Sequence, residues 1–223
     1  MSTGKKRSKA GADAGSPKGE DFRGRAGLEC NRIYKLKHSV PNQGRREISP
    51  RVVEIAGKVK LLILDVDGVL TDGGIILDGG AAELKVFHVR DGHGLTMLKR
   101  AGVKVAIITG RNSEVVDRRA RELGITEVYQ GCHKKIVAYE KLLAKLAIAD
   151  EYVAYIGDDV VDVPLFKRAG FPVAVADAVE EARESALFIT NARGGRGAVR
   201  EICDLILKAS GKWRELLDEY DQA

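Results

Sequence analysis

Apolar residues in this chain fall into short blocks separated by polar stretches, and the blocks are of two kinds. Residues 59–64, 103–109, 152–157 and 171–174 are predominantly apolar runs, interrupted only by Lys60 and Lys104 among charged residues. Such runs predict strands buried on both faces of a parallel sheet. Longer mixed stretches lie between them. Residues 113–123 predict a helix stopped by Gly124, residues 133–147 a second, and the segment from 158 to Ala169 a third. Shorter runs at 127–130 and 187–189 read as further strands, and 197–208 as a late helix. Ser49-Pro50 opens a helix through Gly57, with serine as the cap and proline at the first position. This strand–helix alternation predicts an α/β fold with a doubly wound parallel sheet.

One segment breaks the alternation. Residues 73–89 contain two β-like runs, 75–77 and 84–88, with Asp78-Gly79-Gly80 between them as a turn signal. They predict a β-hairpin flap projecting from the end of the first strand, followed by one helix before the strand at 103. Residues 211–223 predict a helical tail that is amphipathic over 212–220, with Trp213 packing locally.

Charge changes the picture at one end. The chain of 223 residues carries a formal net charge of +5. Residues 1–58 hold 14 Lys plus Arg against 6 Asp plus Glu, and the remainder holds 23 against 26. The basic character therefore belongs to the first segment, and the folded part is mildly acidic, which argues against specific nucleic-acid binding. Residues 1–50, rich in Gly, Lys, Arg and Ser without apolar periodicity, predict a disordered basic extension. Residues 51–210 then form the principal domain. No run approaches a membrane span, and no apolar stretch follows the basic start, so a secretory leader is not expected. Cys30, Cys132 and Cys203 are widely spaced and form no metal-binding pair, which points to reduced thiols and a cytoplasmic protein.

The candidate chemistry sits where strands are predicted to end. Asp65-Val66-Asp67-Gly68 follows the first strand. Side chains at i and i+2 of a strand share a face, so both carboxylates can reach one mouth at the carboxyl end of the sheet, where open α/β sheets bind ligands. Like charges held together there call for a divalent cation. Thr109-Gly110-Arg111 ends a second strand, Lys135 lies near the start of a helix, and Gly157-Asp158-Asp159 with Asp162 ends a third strand. Each alone has an ordinary explanation as a turn, a cap or a solvated charge. All four occur in this order, each at its own element.

Together these motifs resemble the haloacid dehalogenase superfamily of phosphotransferases, over roughly residues 59–203. The resemblance implies that Asp65 is the nucleophile and Asp67 the general acid and base. It implies Mg²⁺ held by Asp65, the Asp67 carbonyl and Asp158. Thr109 and Lys135 would bind phosphoryl oxygens, aided by the N–H groups of Gly68 and Gly110, and Asp159 and Asp162 would orient Lys135 and the metal's waters. Lys134 beside Lys135 leaves two candidates, and register favours Lys135. The spacing leaves no room for a cap domain.

A finer similarity is to the capless 3-deoxy-D-manno-octulosonate 8-phosphate phosphatases. It is carried by residues 65–73, 87–94, 108–111, 157–162 and Gly194-Gly195-Arg196-Gly197 with the four residues after it. That resemblance implies a small acidic sugar phosphate as substrate and a role in lipopolysaccharide synthesis. His88, Val89, Arg90, Asp91 and Gly92 would line the sugar pocket, with Gly110, and Arg111 and Arg119 would meet a carboxylate. It also implies a homotetramer in which the Gly194–Gly197 tail reaches a neighbouring subunit. Two alternatives stand beside it: a nonulosonate 9-phosphate phosphatase, against which Arg111 argues, and a non-catalytic assembly domain like those fused to acylneuraminate cytidylyltransferases.

Overall fold

The computed structural model describes residues 48–77, 79 and 83–221. Residues 1–47, on which most of the expected basic extension falls, lie outside the described residues, as do Asp78 and Gly80 of the expected turn. In chain order the first elements are α1 (Pro50–Gly57), β1 (Leu61–Leu64), β2 (Ile76–Leu77), β3 (Glu83–Leu84) and α2 (Val89–Arg100). Next come β4 (Lys104–Ile108), α3 (Glu114–Glu122), β5 (Glu127–Tyr129), α4 (Lys135–Leu146) and β6 (Val153–Gly157). The series closes with α5 (Val163–Phe166), β7 (Phe171–Ala174), α6 (Glu180–Ser185), β8 (Phe188–Ile189), α7 (Ala198–Ala209) and α8 (Trp213–Asp221).

β1 organises the rest. Its four residues are fully buried, so both of its faces are covered. It pairs in parallel with β4 on one side and β6 on the other, within a six-stranded sheet of order β5-β4-β1-β6-β7-β8. The chain moves outward to β5, then crosses back over β1 to β6, which makes β1 the point where the direction of winding reverses. α7 packs against both α1 and α2, and α5 packs against α4 and α6. The sheet is therefore doubly wound, and no cap domain is present among the described residues.

Local chemistry explains the boundaries. Ser49 caps α1 by accepting from the Val52 N–H, and Pro50 occupies the first helical position. The helix expected from 158 to Ala169 is shorter: a 3₁₀ turn (Val160–Asp162) leads into the four-residue α5, and the Gly170 N–H then turns back to the Asp150 carbonyl at 2.8 Å. α6 was not expected, because only Ala182 of its six residues is buried and no apolar period marks it.

The hairpin is also shorter than its pattern suggests. β2 and β3 pair antiparallel over two residues each, and residues 85–88 are not strand. His88 is already the N-cap of α2, so these residues must carry the chain from the flap to a helix on the sheet.

Asp91, in the first turn of α2, is 1% exposed. Its carboxylate accepts the Arg200 N–H at 2.7 Å and the Gly197 N–H at 3.2 Å, so it caps the N-terminus of α7. Burial pushes its carboxyl above the usual range, and these N–H donors oppose the shift. Asp91→Ala should lower the unfolding free energy by about 1–3 kcal/mol, measured as an earlier urea midpoint. Asp91→Asn, which keeps one acceptor, should cost less. A midpoint unchanged by alanine would show that the cap contributes nothing.

Candidate active site

Three neighbouring strands end at one edge of the sheet, and each delivers a polar residue there. Asp65 follows β1 and still donates its N–H to the Ile156 carbonyl of β6 at 3.1 Å, so its backbone is held in the ladder. The chain then coils: the N–H groups of Val69, Leu70 and Thr71 all point to the Val66 carbonyl. Gly68 sits at φ +89°, and a Cβ there would run into the Asp158 carboxylate. The loop can take this shape only with glycine, and the shape brings the β1 loop against Asp158 after β6. Thr109, 2% exposed, follows β4 and is fixed by backbone bonds of 2.9 Å to Tyr129 and Cys132.

The charges converge on one buried ammonium. Lys135, the first residue of α4, places Nζ 2.8 Å from Asp65 Oδ2 and 2.7 Å from Asp162 Oδ1. Burial alone would lower the Lys135 pKa, but Asp65 and Asp162 outweigh it and hold the ammonium above its ordinary value. Lys134 is exposed. One carboxylate oxygen from each of Asp65, Asp158 and Asp162 lies within 4.8 Å of the others. Burial, offset in part by Lys135 and reinforced by Asp162, pushes Asp65 up to about 6. Burial together with the charges of Asp65 and Asp162 pushes Asp158 up to about 8.

The three acids are not equivalent. Asp162 is fully buried and fully used: Oδ1 accepts from Lys135 and from the Tyr155 hydroxyl at 2.6 Å, and Oδ2 accepts the N–H groups of Asp158 and Asp159 at 2.9 and 3.2 Å. It thereby holds Lys135 and the backbone of Asp158 and Asp159. Asp65 Oδ1 and Asp158 Oδ1 are buried and, among the described residues, have no hydrogen-bond partner. Buried polar atoms are nearly always satisfied. When all three carboxylates are ionised, one ammonium leaves two negative charges in excess. Hard carboxylate oxygens with that charge excess suit a small divalent cation, so the residues fit Mg²⁺. Asp159 does not join this network through its side chain; its carboxylate accepts the Val160 N–H at 2.7 Å and caps the 3₁₀ turn.

Asp67 faces the hairpin. Its Oδ1 accepts from Lys85 Nζ at 2.5 Å, and its Oδ2 lies 3.8 Å from Arg111 Nε. Glu83 Oε1 meets Lys85 at 3.2 Å and Arg111 at 2.8 Å. Sequence reasoning missed Glu83 and Lys85. The available signal was their i, i+2 spacing on the returning arm of the flap, which puts both on one face.

The remaining expected residues spread over the rim. Val89 and Arg90 are exposed at the start of α2, and His88 Nδ1 lies 3.7 Å from Asp91 Oδ2. Gly92 packs beneath the Arg119 guanidinium, which also lies over the Phe87 ring and pairs with Glu122 at 3.3 Å. Gly110 is half-buried and open on its side-chain face. The Gly194–Gly197 segment lies at the rim as well. It is an internal turn that leads into α7 and packs on the β1 loop of its own chain. The Gly195 N–H donates to the Val69 carbonyl at 2.8 Å, and a Cβ on Gly194 would strike the Gly68 carbonyl. Arg196 donates to Asp72 at 3.1 Å and keeps an exposed side chain.

Comparison with known proteins agrees with this geometry. A family model described as haloacid dehalogenase-like hydrolase matches residues 120–202. The 3-deoxy-D-manno-octulosonate 8-phosphate phosphatase of Salmonella typhimurium is 50% identical over 168 residues, which cover 75% of this chain and 89% of the relative. The crystal structure of the Yersinia pestis phosphatase of that name is 48% identical, with a TM-score of 0.74 over 75% of this chain and 90% of that one. The Moraxella catarrhalis phosphatase, solved with magnesium ion, phosphate ion and KDO, is 43% identical, with a TM-score of 0.76 over 78% of this chain and 99% of that one. Identity of this order across nearly the whole of each relative, on the same fold, means that the chain belongs to the 3-deoxy-D-manno-octulosonate 8-phosphate phosphatase family of haloacid dehalogenase-like hydrolases.

Proposed function

We propose that this chain is a Mg²⁺-dependent phosphatase that converts 3-deoxy-D-manno-octulosonate 8-phosphate to the free sugar acid and phosphate, in lipopolysaccharide synthesis. The observation that carries the reading is the cluster of Asp65, Asp158 and Asp162 beside the buried Lys135, in a chain half identical to a phosphatase of that name.

In this reading Asp65 attacks phosphorus, and its new bond to phosphorus forms as the bond to the sugar oxygen breaks. Asp67 gives its proton to the departing oxygen. It then takes a proton from the water that attacks the aspartyl-phosphate, which releases phosphate and restores Asp65. Lys135, Thr109 and the N–H groups of Gly68 and Gly110 bind the phosphoryl oxygens as their charge shifts. Arg111 and Arg119 offer planar forks for the substrate carboxylate, and His88, Val89, Arg90 and Gly92 border the sugar. Asp65, Asp158 and the Asp67 carbonyl would hold Mg²⁺, which when bound neutralises charge on the carboxylates and the phosphoryl group.

A homotetramer built on the hairpin belongs to the same proposal. Ile75, Ile76, Leu77, Leu84 and Val86 of the flap are all exposed, and Leu77 reaches 71%. Apolar surface so concentrated favours association. In that assembly the exposed Arg196 is the side chain offered to a neighbouring subunit. A cytoplasmic setting accords with the free thiols of Cys132 and Cys203, and no described helix is long and apolar enough to cross a membrane.

Three measurements test the proposal. Phosphate release in Mg²⁺ should be led by the octulosonate 8-phosphate over a nonulosonate 9-phosphate and simple hexose phosphates. A lead by another ester would move the substrate, and inactivity on all would overturn the reading. Asp65→Asn should reduce turnover by more than about a thousandfold while circular dichroism stays native; near-normal release would remove Asp65 as nucleophile.

The third is a linkage. Without metal, burial and the neighbouring carboxylates push Asp65 up to about 6 and Asp158 up to about 8 in the folded protein, above the ordinary aspartate range. The native state then holds more protons than the unfolded one, so stability falls as pH rises from about 4 to 8. Mg²⁺ must displace those protons, so it binds more tightly at higher pH. The rise in Tm on replacing EDTA with Mg²⁺ should be larger at pH 8 than at pH 6. An equal or reversed increment would argue against these ligands.

A further inference from the structure

The family reading assigns Asp67 its proton transfers but leaves open what holds its carboxyl in place. The geometry offers an answer at the flap. The Lys85 side chain is 1% exposed although it starts from a residue just past β3, and its ammonium lies between Asp67 Oδ1 at 2.5 Å and Glu83 Oε1 at 3.2 Å. Glu83 also takes the Arg111 guanidinium at 2.8 Å, and Arg111 Nε approaches Asp67 Oδ2 at 3.8 Å. The four side chains close a ring of alternating charge, Lys85–Asp67–Arg111–Glu83. It joins the flap to the loop after β1 and the loop after β4.

We propose that Lys85, clamped by Glu83, is the positioning residue for Asp67, fixing the carboxyl group that exchanges protons with the leaving oxygen and the attacking water. Three observations support it. A buried ammonium requires a paired anion, and Asp67 and Glu83 are the carboxylates within reach among the described residues. Each Asp67 oxygen faces a different cation, one on the flap and one after β4, so rotation of the carboxyl about its own axis is restrained from both sides. Neither cation contacts Asp65, Asp158 or Asp162 among the described ion pairs, so the ring addresses Asp67 alone of the site's acids. Misplacing a general acid by a fraction of its hydrogen-bond reach is enough to slow proton transfer. The ring also gives the flap a chemical role: it carries in the residue that aligns the acid.

This inference rests on the phosphatase reading above, and one experiment separates the two. Steady-state kinetics with the octulosonate 8-phosphate and Mg²⁺ are measured on the full chain for wild type, Lys85→Met, Lys85→Gln, Lys85→Arg, Asp67→Asn and Asp67→Asn/Lys85→Met. Lys85→Met should lower kcat by about tenfold or more while KM moves by less than about threefold, the signature of an effect on the transition state rather than on binding. Lys85→Arg should recover most of kcat. In the Asp67→Asn background, Lys85→Met should cause no further loss, because a residue that acts through Asp67 has nothing left to position. If Lys85→Met does not fold, Lys85→Gln, which keeps a donor without the charge, should give the same split.

An unchanged kcat, a rise confined to KM, or the full loss repeated in the Asp67→Asn background would overturn the inference and leave the phosphatase intact. Wild type inactive on every ester would instead overturn the phosphatase reading itself.

Discussion

Everything at this site depends on the ammonium of Lys135. Asp65, Asp158 and Asp162 crowd one end of the sheet at a depth where like charges repel strongly, and Lys135 is the cation set among them by the fold. Its position is costly to arrange. The first residue of α4 must fall opposite the ends of β1 and β6, and Asp162 must be held so that its oxygen meets the lysine from the other side. The Tyr155 hydroxyl and the N–H groups of Asp158 and Asp159 do that, so a buried acid with no free lone pairs sets the geometry for acids that have them. The charge that remains uncompensated is what selects a divalent cation.

The helical layer supports the same loop from behind. Gly194 and Gly195 press onto the coil after Asp65 so closely that side chains there would meet backbone. α7 begins two residues after Arg196, and its free N–H groups are capped by Asp91 from α2. The loop bearing Asp65 is thus wedged between Asp158 on one side and the entry to α7 on the other. Asp91 lies within the segment expected to line the sugar pocket, yet both of its oxygens are occupied in joining two helices. An acid in a segment expected to bind substrate can be structural, and only its contacts tell the two apart.

The flap is a different kind of element. β2 and β3 pair over two residues each, and their apolar side chains face outward. Such a ribbon has little core of its own. What ties it down at its base is charge: Glu83 and Lys85 engage Arg111 and Asp67. Its base is thereby registered on the site.

The α/β class, the parallel sheet, most strand positions, the hairpin and the acids at the strand ends were all legible in the order of residues. Buried parallel strands need unbroken apolar runs, and ligands gather where such strands end, so periodicity and a few motifs carry that information. Local pattern could not decide how far each element runs or which carboxylate meets which cation. α5 stops early because Gly170 must close onto Asp150, and α6 forms with a single buried residue. Asp162 rather than Asp159 grips Lys135, Lys85 meets Asp67 across 18 positions of chain, and Arg111 meets Glu83 across 28. These are pairings between residues remote in sequence, and their energy depends on distance and burial, which exist only once the chain has folded.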